Sequence, residues 1–148
     1  MVKAARSGET REMTPELSTP RGAFPHFRQS GNLVFVSGTS SRRPDDSIEG
    51  ASVDESGTAD LDIATQTTAV LQNIESILET IGLDRSHIVD ATAFLVSMND
   101  FGPYNRAWAD FFGGMVAPAR TTVAVHQLPH PHLLIEIKVV AELASDES

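Results

Sequence analysis

The chain has 148 residues, no cysteine and a net charge of −9, from 11 basic and 20 acidic side chains. That length suits one domain with one core, and the missing thiols exclude disulfides, a cysteine nucleophile and cysteine-ligated metals. The acidic balance argues against nucleic acid as a partner, which needs a clustered basic face, and no apolar run reaches the roughly 18 residues of a membrane span.

Residues 1–21 are polar, mixed in charge and broken by Pro15 and Pro20. They are expected to form a flexible arm, or one ordered only against a neighbouring subunit, ahead of a single domain over residues 22–148. Leu33, Val34, Phe35 and Val36 form a short apolar run between Gly31-Asn32 and Ser37-Gly38, the pattern of a buried strand. Residues 38–57 read as loop, rich in serine, aspartate, proline and glycine.

Over residues 60–81 the period changes. Ile63, Thr67, Val70, Leu71, Ile74, Ile77, Leu78 and Ile81 recur at three and four, which predicts a helix closed by Gly82. Residues 87–96 predict a strand with Val89, Ala91, Ala93 and Leu95 on one face. A second helix is expected over residues 101–112, with Asp100 as N-cap and Phe101, Tyr104, Trp108, Phe111 and Phe112 as its buried stripe. Residues 120–126 and 133–142 predict two more strands. Two or three strands, helix, strand, helix and two strands suit an α+β domain, one sheet with both helices on one face. The other sheet face is also apolar, so self-association is the expected cover.

Few residues are placed for chemistry. Glu136 lies in an otherwise apolar strand, either as a surface carboxylate facing solvent or Lys138, or as a general acid/base tuned by partial burial. Arg120 opens a strand after Pro118-Ala119, either as a surface arginine or as a bidentate grip on a carboxylate. Arg42 and Arg43 form a loop pair, either solvated or an anchor for a substrate anion. His126, His130 and His132 match no standard metal-ligand spacing, and a turn that sets one imidazole near a pocket is the alternative. No metal site or cofactor is expected. A small molecule is the expected partner and the cytoplasm the expected location.

These same residues carry a family resemblance over about residues 24–141. Leu33 to Gly38 resembles the early strand and turn of the YjgF/RidA family. Gln66-Thr67 and Asn73 fall on its long helix, Asp100-Phe101 with Asn105 resembles its D-F-x-x-x-N stretch, and Pro118-Ala119-Arg120 its P-A-R signature. Ile135-Glu136 resembles its closing strand. The resemblance implies a chorismate-mutase-like fold, a homotrimer with clefts between subunits, and hydrolysis of imines and enamines without a cofactor. It implies that Arg120 binds the substrate carboxylate and Glu136 activates water, while Asn105, Ser37 and Gly38 help line the pocket. Phe24 stands where many members have tyrosine, and Thr122 where cysteine is common.

Residues 38–45 and the run from His126 to His132 resemble the 2-aminomuconate deaminase branch. That substrate is a dicarboxylate, for which Arg42 or Arg43 would supply a second anion site and His126 or another turn histidine a proton shuttle. The alternatives are a broad 2-imino acid deaminase, or a trimer that binds ligand without catalysis.

Overall fold

The computed structural model describes residues 16–144, so most of the expected arm falls outside the described residues. Strand β1 (Phe27–Ser30) turns through Gly31 into β2 (Leu33–Thr39). A small hairpin of β3 (Ala51–Val53) and β4 (Ala59–Leu61) follows, then helix α1 (Ile63–Glu79), β5 (Ile88–Leu95), α2 (Phe101–Phe112), β6 (Ala119–Ala124) and β7 (Ile135–Glu142). The large sheet has the order β1-β2-β7-β5-β6. Only β5 and β6 run parallel, and α2 makes the crossover that a parallel pair requires. The last strand of the chain thus lies at the centre.

Alternation along β7 fixes the two faces. Ile135, Ile137, Val139 and Ala141 are buried with α1 and α2, while Glu136, Lys138, Val140 and Glu142 point the other way. Phe35 pairs with Val140, and Phe94 with both Val123 and Glu136, so that second face is itself partly apolar. The expected α+β layering is therefore present: one mixed sheet, both helices on one side.

Helix α1 begins where Asp62 accepts hydrogen bonds from the N–H groups of Ala64 and Thr65, at 3.1 and 3.3 Å. It ends in a Schellman arrangement: Gly82 takes φ +80° and Leu83 N–H reaches back to the Leu78 carbonyl at 3.0 Å. Its inner stripe is the expected one from Ile63 to Leu78, joined by Gln66 and Ala69, while Ile81 falls beyond the helix and is only partly buried. Gln66 is polar yet fully buried. It donates to the carbonyls of Gly50 and His132 and accepts from Leu134 N–H, tying α1 to the loops before it and before β7. Gln66→Leu strands these groups at roughly 1–3 kcal/mol each. Thermal unfolding is expected to fall by about 10 °C, from a net loss near 3 kcal/mol; an unchanged midpoint would show that the loops hold without it.

Four local readings of the sequence are corrected. The β3–β4 hairpin occupies part of a stretch read as loop, because strands of three residues leave no periodic signal. Val89 is 43% exposed: the ladder shifts register between Ile88 and Asp90, so Ile88 and Ala91 turn inward instead. Asp100 precedes α2 but makes no side-chain cap; Ser97 caps the preceding turn, accepting from Asn99 N–H. Phe101 sits at the open end of the α2 stripe, 37% exposed, whereas Ala107 joins the buried set. Among the described residues no helix is long and apolar enough to cross a membrane.

Candidate active site

The pairing of β2 with β7 slips between Val36 and Thr39, where three residue steps on β2 oppose two on β7. Such a bulge bends its strand and re-aims side chains. Here it brings the backbone of Ser37-Gly38 against the carboxylate of Glu136. A Cβ at Gly38 would collide with Glu136 Oε2 and lie 3.2 Å from its Cδ. Gly38 is thus required by proximity, since its φ is unremarkable. Gly38→Ala is expected to displace the carboxylate by about an ångström and to cost on the order of 10²-fold in any reaction Glu136 serves; wild-type kinetics in that variant would place Glu136 outside the chemistry.

Glu136 forms part of the wall of a cleft of about 460 Å³. The carboxylate is half-buried, and among the described residues it has neither hydrogen-bond nor ion-pair partner, Lys138 included. Desolvation pushes its pKa above the ordinary glutamate value. An unpaired carboxylate on the central strand raises the folding cost, which makes Glu136 a candidate for chemistry.

The opposite wall is built from loops. Ser37 Oγ donates to the Pro25 carbonyl at 2.8 Å, which sets Phe24 and His26 at the rim. Burial, and then the charge of Arg42, lower the pKa of His26. Asn73 on α1 donates to the carbonyls of Ser40 and Arg42, at 2.9 and 3.2 Å, and so holds the loop after β2. Arg42 reaches into the cleft with 15% of its side chain exposed. It is already engaged: Nη1 meets Asp46 Oδ1 and Nη2 meets the Thr19 carbonyl, both at 2.5 Å. Asp46 holds φ +73°, the left-handed region that aspartate tolerates better than most residues. Residues 16–21 therefore lie along the chain's own cleft, and Arg21 also meets Asp46 at 3.5 Å.

Phe24, Ser37, Gly38, Arg42, His130 and Glu136 thus share one cleft. Arg43 does not; it turns to Ser47 and Glu49 and borders a second, shallower hollow with His130 and His132. His126 lies exposed beyond the end of β6, and Asn105 on the outer side of α2. Arg120 lies on the helix side of the sheet: it pairs with Ala91, which pairs with Val139, all on that face. Glu136 projects from the opposite face. Strand spacing and rise also separate the two by about 14 Å along the sheet. One chain does not bring Arg120 and Glu136 together.

His26 and Asp46 escaped the sequence reading. Neither has a periodic or motif signal, since one precedes the first strand and the other is set by loop geometry. Among the described residues, no group of three or more His, Cys, Asp or Glu is placed to hold a metal ion.

The family model described as endoribonuclease L-PSP matches residues 16–143. The chain belongs to the YjgF/RidA/RutC family. A RutC family protein of Pyrococcus horikoshii is 35% identical over 128 residues, 86% of this chain and 93% of its own. Among solved structures, the Rid family protein YyfA from Yersinia pestis superposes with a TM-score of 0.74 at 30% identity, over 86% of this chain and 94% of that one. Escherichia coli TdcF, with bound serine, does so with a TM-score of 0.73 at 25% identity, covering 87% and 94%. The sheet and paired helices are the chorismate-mutase-like fold of this family. Within it, Gly38 and Glu136 line the cleft, and Arg120 belongs to another surface of the same chain.

Proposed function

We propose that this protein is a deaminase that hydrolyses the enamine and imine of 2-aminomuconate to 2-oxohex-3-enedioate and ammonia, in aromatic-compound catabolism in the cytoplasm. The observation that carries the reading is Glu136, a half-buried carboxylate with no partner among the described residues, facing a cleft of substrate size. The bound serine of the TdcF structure supports a small amino-acid-like ligand for such a cleft.

The enamine first tautomerises to an imine, whose carbon is electrophilic without any cofactor. Glu136 takes a proton from water as the water oxygen bonds to that carbon. That proton passes to nitrogen to give the carbinolamine; the hydroxyl proton then follows it to nitrogen by way of the same carboxylate as the C–N bond breaks, so that ammonia leaves and a ketone remains. Arg120 of a neighbouring copy supplies the carboxylate grip, because its own chain holds it on the far face from Glu136. The partly apolar outer face of the sheet, with Phe35, Phe94, Val123 and Val140, supports self-association, which this reading takes to be a homotrimer with sites between subunits. The His126–His132 turn stands near enough in sequence to the cleft for one imidazole to relay a proton; His130 is the one at the rim. The net charge of −9 disfavours RNA as a substrate despite the family label.

A second reading follows from Arg42. Its donors already meet Asp46 and the Thr19 carbonyl, so a distal carboxylate must displace one of them. Small 2-imino acids carry no such group and need no such displacement. Comparing kcat/KM on 2-aminomuconate, generated in situ from its semialdehyde, with that on the imine of pyruvate decides the matter. Preference for the muconate assigns Arg42 to substrate, and preference for the small imine assigns the protein to general imine clearance.

A further inference from the structure

Arg120 is held in an unusual way. Its guanidinium carbon stands 4.8 Å from the ring centre of Tyr104, 5.0 Å from that of Trp108 and 5.8 Å from that of Phe101. These three rings sit at i, i+3 and i+7 on α2, one stripe of the helix. Tyr104 is fully buried, and its hydroxyl lies 2.7 Å from Thr122 Oγ1. Thr122 is two residues beyond Arg120 on β6 and faces the same way. The strand that carries the arginine therefore also pins the ring beneath it. Among the described residues no carboxylate and no carbonyl binds the guanidinium.

The chemistry of that arrangement is specific. A carboxylate partner would fix an arginine by consuming its N–H donors. An aromatic face attracts the cation through the ring quadrupole and consumes none of its N–H donors in a charge-assisted hydrogen bond, so they stay available to a ligand. We propose that Phe101, Tyr104 and Trp108 are positioning residues: they hold Arg120 in one orientation with its donor edge open, ready for a bidentate carboxylate, and the Tyr104–Thr122 hydrogen bond fixes the platform. The inference rests on reading Arg120 as the carboxylate anchor of the deaminase. Pre-ordering a binding group raises affinity by removing the cost of ordering it later. It acts on bound substrate and transition state alike, so it governs KM and leaves kcat in place.

The chain contains one tryptophan and one tyrosine, and both belong to this platform. Trp108 emission therefore reports on Arg120 directly. In the full-length protein, titration with cis,cis-muconate, and separately with pyruvate, is expected to give a saturable change that Arg120→Ala abolishes. Tyr104→Leu, which removes both the π face and the pin, is expected to weaken binding roughly 3- to 30-fold, with the same rise in KM and an unchanged kcat. Tyr104→Phe keeps the face and is expected to recover most of the affinity. Phe101→Leu, at the exposed end of the stripe, gives a smaller loss with little burden on folding, and carries the test if Tyr104→Leu does not fold.

Equal affinity in wild type, Tyr104→Leu and Phe101→Leu would overturn the inference. So would a Tyr104→Phe variant as impaired as the leucine one, or a fall in kcat at constant KM. If Arg120→Ala binds carboxylates as wild type does, the anchor reading and the inference fall together. If wild type binds carboxylates through Arg120, and Tyr104→Leu weakens that binding while no imine is turned over, the positioning role stands and the deaminase reading fails alone.

Discussion

Replacing Glu136 with glutamine is expected to lower the rate of deamination by ~10²–10⁴-fold, the usual worth of a general acid–base group. The change is close to isosteric and leaves a neutral acceptor beside Gly38, so substrate binding should move far less than turnover. Stability is expected to move the other way. Desolvation raises the pKa of Glu136 in the folded protein, so the folded state holds the proton more tightly than the unfolded chain. Between the unfolded and folded pKa values the native state binds more protons, and stability falls as pH rises through that window. Above it the ionised carboxylate is a burden that glutamine removes. Glu136→Gln should therefore unfold at or above the wild-type temperature at neutral pH, and the advantage should vanish in acid, where both forms are uncharged. Loss of activity with gained stability marks a functional group; loss of both would mark a structural one. Activity itself should decline on the acid side at a pH above the ordinary glutamate range, because the base must be ionised to accept a proton.

Arg120→Lys is expected to reduce kcat/KM by about 10- to 100-fold, the equivalent of roughly 1.5–3 kcal/mol for a hydrogen bond to a charged group. Lysine keeps the charge but presents a point, so the paired donors are lost. It also stacks less well over Tyr104 and Trp108, whose rings flank the guanidinium at about 5 Å. The loss should lie mainly in KM. Unchanged efficiency would remove Arg120 from the site.

The elements with long repeats were legible in the sequence. Helix α1 declared itself through spacings of three and four and through Gly82, and β7 through an apolar run interrupted at Glu136. What was not legible depended on single ladder steps. The register slip at Ile88–Asp90 turned Val89 outward, and the slip at Val36–Thr39 brought Gly38 against Glu136. Neither leaves a trace in composition or period. The placement of Arg120 was hidden for the same reason: its face depends on parallel pairing of β6 with β5, which residue patterns do not encode. Glu136 stood out as a carboxylate among aliphatic residues, and Arg120 as a cation at a strand start. The sequence offered no sign that the two project from opposite faces. Nor did it show that Arg42, expected among the substrate anchors, is engaged by Asp46 and Thr19. That contact depends on a loop residue at φ +73°.

The separation of Arg120 from Glu136 makes one measurement decisive. Arg120→Ala and Glu136→Gln are each prepared alone and also co-expressed as mixed oligomers, and ammonia release from 2-aminomuconate is followed in all three. Each variant alone should be inactive, while the mixture should regain activity, because some clefts then combine an intact Glu136 with an intact Arg120 from the neighbour. A mixture as inactive as its components would contradict a site shared between subunits, and activity retained in the Glu136→Gln protein would contradict Glu136 as the general base.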